Sequence, residues 1–168
     1  MTSTVKKDFQ FFRDAVHIFS SSLILQEVMR AAFDFMNEHF PLDGLSLYRF
    51  EPNSKAMHYL FLVTQDKFYY LDMKIPFPER AVKGLERIER TYKVINVPHS
   101  NVHIIPTLHG KAIAPYLPDR DRARLVAILS TPQKMMVEHL SLVGPCPECF
   151  TEEHEHKLIY YGLSLGCL

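Results

Sequence analysis

The chain has 168 residues, 47% of them hydrophobic and 23% charged, with 19 basic side chains against 19 acidic ones. That length fits one domain with an ordinary core. Zero formal charge excludes the basic excess that a phosphate-binding nucleic-acid surface requires. No apolar run is long enough to cross a bilayer, and Met1 to Asp8 holds two lysines but no apolar stretch of the secretory kind. Cysteine occurs only at Cys146, Cys149 and Cys167. An odd, late-clustered set makes no disulfide framework and points to a reducing cytoplasm.

The first element is helical. Val5, Phe9, Phe12, Val16 and Phe19 are spaced 4-3-4-3, a narrow apolar seam that suits packing on another helix. Residues 1–21 are therefore set apart as an N-terminal helix for dimerisation or signalling, with 22–168 as the main domain. Ser20, Ser21 and Ser22 interrupt the seam and offer an N-cap. A second helix carries Leu25, Val28, Met29, Ala32, Phe33, Met36 and Phe40 on one broad face, and Pro41 stops it.

Strands follow. Leu45 to Phe50 and Met57 to Val63 flank a turn-rich stretch from Glu51 to Lys55, the pattern of a hairpin. Both runs are apolar on more than one face, which predicts a sheet covered on both sides. Tyr69 to Ile75 reads as a third strand, Glu79 to Arg90 as a helix, and Tyr92 to Val97 as a short strand. Pro98 to Asp121 is irregular, with four prolines and three histidines, a composition often found in binding loops. Leu125 to Ser130 and Met135 to Val143 form another hairpin around Thr131-Pro132-Gln133-Lys134. A last helix opens at Thr151, where Glu152 and Glu153 suit the helix dipole, and carries a second seam at Leu158, Tyr161, Leu165 and Leu168. It ends without a cap, as expected of a piece cut from a longer protein.

Several motifs bear on chemistry. Gly162-Leu163-Ser164-Leu165-Gly166 matches the nucleophile elbow, but it lies in a predicted helix with no partners downstream, so it is a chance match. Cys146-Pro147-Glu148-Cys149 precedes His154 and His156. Cys146, Cys149 and His154 are candidate metal ligands, although the spacing is tighter than in zinc fingers. Cys149 before a helix N-terminus is alternatively a redox thiol, and an ordinary exposed loop is the third reading. Asp119 and Asp121 among Arg120, Arg122 and Arg124 read as a solvated, charge-compensated turn. No phosphate-binding glycine loop and no His-Glu-x-x-His helix is present.

The element order, together with Asp43-Gly44-Leu45-Ser46-Leu47-Tyr48-Arg49-Phe50, Arg124-Leu125-Val126-Ala127-Ile128-Leu129 and the Phe150-Thr151-Glu152-Glu153-His154 phrase before the closing helix, resembles the GAF domain family. The resemblance covers about four-fifths of the chain. PAS domains, which usually begin with strands, fit less well. The resemblance implies an α+β fold: a central antiparallel sheet with the N- and C-terminal helices packed on one face and helix and loop elements covering the other. It also implies a non-enzymatic, cytoplasmic sensory domain, often at the N-terminus of bacterial sensor kinases or sigma-54-dependent transcription activators. Such a domain binds a small molecule, dimerises through its terminal helices and signals to a linked output domain.

In that frame His99, His103 and His109, in the irregular segment, line a ligand pocket with Tyr69, Tyr70 and Arg80. Against this stands the plain reading that they are loop and strand residues. The Asn-Lys-Phe-Asp-Glu signature of cyclic-nucleotide-binding members has no counterpart. The central cysteines of bilin-attaching members and of methionine sulfoxide reductases are missing too. Ligand and cofactor stay unnamed. A thiol or metal sensor at Cys146 and Cys149, and a ligand-free dimerisation module, are the alternatives.

Overall fold

The order of alternating side chains along the strands decides this architecture. The computed structural model describes residues 10–11, 13–18, 20–79, 82–83, 92–99, 113–117, 121–130 and 137–165. Six strands, β1 (Gly44–Glu51), β2 (Ala56–Thr64), β3 (Phe68–Pro76), β4 (Tyr92–Val97), β5 (Arg124–Ser130) and β6 (Val137–Val143), form one sheet in the order β3-β2-β1-β6-β5-β4. Every pairing is antiparallel. Three helices are described: α1 (residues 10–11 and 13–18), α2 (Leu25–Asn37) and α3 (Glu152–Leu165). The hairpins, the third strand, the short strand at Tyr92 and the closing helix all form where the periodicity places them. The turn at 131–134 and most of the Glu79–Arg90 helix lie outside the described residues.

One core lies between the helices and the near face of the sheet. Phe11 and Ala15 of α1, Met29, Ala32, Phe33 and Met36 of α2, and Leu158 of α3 meet Leu45, Phe61, Val63, Leu125, Ala127, Leu140 and Leu142. A second core lies on the far face, where Tyr48, Phe50, Met57, Tyr59, Leu62, Val126 and Ile128 are covered by Phe77, Val82 and Ile113. The terminal helices thus share one face, and the middle of the chain covers the other. Two-sided burial explains the near-continuous apolar runs in the sequence.

A bulge in β2 makes both cores possible. Leu47 pairs with Phe61 while Tyr48 pairs with Tyr59, so Leu60 is an extra residue. One inserted residue inverts the parity of the strand. Met57 and Tyr59 face away from the helices, whereas Phe61 and Val63 face them. The partner strand answers at Asp72, whose φ of 41° is in the left-handed region that aspartate tolerates better than most residues.

Helix contacts refine the predicted seams. On α1 the core takes Phe11 and Ala15, with Ile18 packed against them; Phe11 lies 5.1 Å from Phe35 and 5.0 Å from His39 between ring centroids. Of the seam Val5, Phe9, Phe12, Val16 and Phe19, only Val16 is among the described residues, and it is half-buried. Leu158 is fully buried in the near core, a correction to its place in a dimer seam; the side chains of Tyr161, Leu165 and Leu168 lie outside the described residues. The N-cap of α2 is Ile24 rather than a serine. Ser22 still serves this end, for its Oγ accepts the Ile24 N–H at 3.0 Å and donates to Glu27 at 2.7 Å. Phe61 is fully buried where β2 meets the helices, so Phe61→Ala should cost about 3–5 kcal/mol. Denaturant unfolding measures this, and a loss below about 1 kcal/mol would show that this side of the sheet is not the main core.

Candidate functional site

The far face of the sheet carries a buried polar patch. Because neighbouring strands are antiparallel, register sets which side chains lie side by side. Tyr48 pairs with His139 on one side and Tyr59 on the other. His139 in turn opposes Ile128. In the next row Ser46 pairs with Ser141, which opposes Val126, and one row further Arg124 opposes Val143. All six polar residues of this patch (Ser46, Tyr48, Tyr59, Arg124, His139 and Ser141) are buried.

The rings form a stack. Tyr48 and His139 lie 4.9 Å apart between centroids with planes inclined by 18°, and Tyr59 lies 5.3 Å from Tyr48. Burial pushes the Tyr48 phenol well above its ordinary value, against the opposing pull of the Arg124 guanidinium and the Ser141 hydroxyl. Burial raises Tyr59 as well. Both phenols are therefore neutral. Burial alone pushes His139 down to about 3, so its imidazole is neutral too, and Nδ1 finds no hydrogen-bond partner among the described residues.

Arg124 is the one cation in the patch. It is only 2% exposed, yet Nε and Nη1 have no partner among the described residues. Burial lowers its pKa, which the neighbouring Tyr48 and Tyr59 counteract and Arg122 reinforces, but a guanidinium keeps its charge in protein environments. Arg122, also buried, is paired with the Asp43 carboxylate. These two arginines correct the reading of residues 119–124 as a solvated turn: Arg122 is buried just before β5 and Arg124 opens that strand, while Asp119 and Arg120 lie outside the described residues.

The predicted site residues separate. Tyr69 does face this side, with its ring 4.7 Å from Tyr116. Tyr70 is its strand neighbour and so points to the opposite face, where it is 71% exposed; the structure does not bring the two together. His99 lies beyond β4, with Nδ1 2.9 Å from Asp121 and Nε2 3.3 Å from Glu148. These carboxylates, Asp121 first, raise its pKa and tie it to the loop after β6. Arg80, His103 and His109 lie outside the described residues.

The cysteine loop is a folded corner. Gly144 donates to Ala123 O at 3.0 Å, Ala123 to Cys146 O at 2.9 Å, and Glu148 to Pro98 O at 3.0 Å. The Cys149 thiol packs where a Cβ on Gly144 would stand, and burial raises its pKa, the reverse of an activated thiolate. His154 accepts the Thr151 N–H at 3.0 Å, taking the part that glutamate plays in a capping box, with its ring 5.5 Å from Phe40. Among the described residues no three His, Cys, Asp or Glu side chains gather as a metal site, so Cys146, Cys149 and His154 are not assembled into one.

An open antiparallel sheet with α1, α2 and α3 on one face and a second core on the other defines an α+β class of domain. Its fold is that of a GAF domain. No family model matches the sequence, and no curated protein matches it. Solved structures do. The GAF domain of a phosphoenolpyruvate-protein phosphotransferase from Coxiella burnetii is similar at 14% identity and a TM-score of 0.57, over 98% of this chain and 96% of that one. The phycocyanobilin-bound GAF domain of a cyanobacterial phytochrome is similar at 13% identity and 0.60, over 95% and 93%. The chromophore-binding domain of a Stigmatella aurantiaca bacteriophytochrome reaches 0.66 at 14% identity, over 96% of this chain but 59% of its own length.

The neutral state of His139 has a pH signature. The unfolded chain takes up a proton on this residue below about pH 6.5, while the folded one resists until about 3. Its contribution is therefore complete above about pH 6.5 and is lost as pH falls, with a slope of at most about 1.4 kcal/mol per pH unit. Replacing it by His139→Phe, which keeps a ring in the stack, should flatten the fall in melting temperature between about pH 7 and pH 5. Equal slopes for both proteins would mean that His139 is protonated in the fold.

Proposed function

We propose that this chain is a regulatory, non-catalytic domain that holds a small molecule against the far face of its sheet and passes the event to the helices on the near face. One observation supports this above all. Four adjacent strands place six buried polar side chains in a single patch, where apolar side chains would be cheaper to bury. Some of those polar atoms have no partner in the described fold, as expected of groups meant for a ligand. Two of the structures similar to this chain are named for a bilin or a chromophore, which agrees with a binding role for a domain of this fold.

The relay follows from strand alternation. Arg124, Val126 and Ile128 of β5 face the patch, and Leu125 and Ala127 between them face the helices. A ligand that moves β5 thereby changes the surface on which α3 packs. Regulation results only when the two helix arrangements differ in ligand affinity. The apolar seam in the sequence of the first helix is the proposed dimer contact, and a linked output domain is the proposed receiver in a cytoplasmic signalling protein.

Mass spectrometry of small molecules released from natively purified protein should find one at near-stoichiometric amount. A preparation that releases nothing and is stabilised by no small molecule would favour a purely structural module. Sedimentation should show a dimer that Val16→Glu dissociates without unfolding, because Val16 is only half-buried. A wild-type chain that stays monomeric at high concentration would remove the dimer from this scheme.

A further inference from the structure

The charge balance of the far face narrows the ligand. Arg122 is neutralised by Asp43, the two phenols and His139 are neutral, and the serines carry no charge. No salt bridge reaches Arg124 among the described residues, and no carboxylate acts on it there. Among the described residues the patch therefore holds one positive charge that no carboxylate balances, a costly state in a buried site. A single negative charge restores balance, whereas a doubly charged phosphate leaves an excess of the opposite sign. The surroundings also specify the remainder of the ligand. Val126 and Ile128 follow Arg124 on the same side of β5, and the Tyr48 and His139 rings lie nearly parallel, a surface that suits a flat, apolar body. The unpartnered Nδ1 of His139 adds one hydrogen-bonding group.

We propose that the far face binds a singly charged carboxylate with a planar apolar body, its carboxylate paired with the Arg124 guanidinium. The inference rests on the sensory reading above and supplies the ligand class for it. The planar guanidinium matches a carboxylate in shape and charge. The neutral rings and aliphatic side chains then take up the body at little electrostatic cost. Arg124 is a binding residue with no catalytic part, and the Arg122–Asp43 pair leaves the Asp43 carboxylate already engaged.

Thermal unfolding of the full chain with benzoate, its neutral analogue benzamide, or inorganic phosphate tests this. Benzoate should raise the melting temperature by about 3 °C or more at saturation, and the other two by much less. Arg124→Met should abolish the benzoate response and melt no lower than the wild type without ligand, because it removes an unpaired buried charge. Arg124→Lys, which keeps the charge but not the planar fork, should retain a weakened response, and it carries the test if the methionine variant fails to fold. Equal stabilisation by benzoate and benzamide, unchanged in the variants, would overturn the anion while leaving small-molecule sensing intact. Stabilisation by phosphate alone overturns the single charge. No shift with any probe, together with a neutral molecule in the natively purified protein, overturns the carboxylate only. No shift and no released molecule overturns both readings.

Discussion

Strand parity is the constraint from which everything else in this molecule follows. Each central strand has to present apolar side chains to the helices and a mixed set to the far side, and a slip of one residue would exchange them. On β5 that slip would drive Arg124 into the helix-side core and expose Leu125 and Ala127 to the polar patch. The tight corner before β5 prevents it. Asp43 donates its N–H to Val143 O at 2.8 Å and pairs with Arg122, while the backbone of Ala123 is bonded to both Gly144 and Cys146. Three chain segments that are far apart in sequence are thus locked at one end of the sheet.

The same corner explains why the Cys146–Cys149 loop has a structural part. Its backbone groups are spent on the starts and ends of β4, β5 and β6, and its second thiol fills the space left by the missing Cβ of Gly144. Glu148 sits there at a φ of 55° and meets His99. A loop so constrained has little freedom to rearrange around a metal ion. Its place at the mouth of β5 nevertheless makes it part of the frame that holds Arg124.

Much of the fold was legible because it rests on local periodicity. The apolar face of the second helix, the two hairpins and the Thr151 cap each span a few neighbouring residues, and each formed where expected. The doubly apolar β1 and β2 runs correctly announced a sheet covered on both sides, although the bulge at Leu60 that reconciles the two faces leaves no mark in composition. The site was much less legible. Ser46, Tyr48, Tyr59, Arg124, His139 and Ser141 look ordinary one at a time, and they meet only through the register of β1, β2, β5 and β6. Arg124 was hidden among the charges of residues 119–122, from which a strand boundary separates it. The one available signal was Arg124 opening an otherwise apolar strand, Leu125 to Leu129, opposite a strand that itself alternates His139 and Ser141. Tyr69 and Tyr70 failed as a pair for the complementary reason, because adjacent residues on a strand cannot share a face.

A buried patch of this kind lowers stability, and the near face shows how the fold sustains it. The helix-side core is almost wholly apolar, with Phe33, Met36, Leu45, Phe61, Leu125 and Leu142 all at or near complete burial. The polar residues of the far side are held in place by the register of β1, β2, β5 and β6. Under the proposed reading this is preorganisation: the guanidinium and the ring stack are already held, so a ligand binding there would lose less ordering entropy. The arrangement also sets the direction of coupling. Side chains on the two faces of β5 alternate along one backbone, so under the proposed sensory reading a ligand that shifts Arg124 would also shift Leu125 and Ala127 beneath α3.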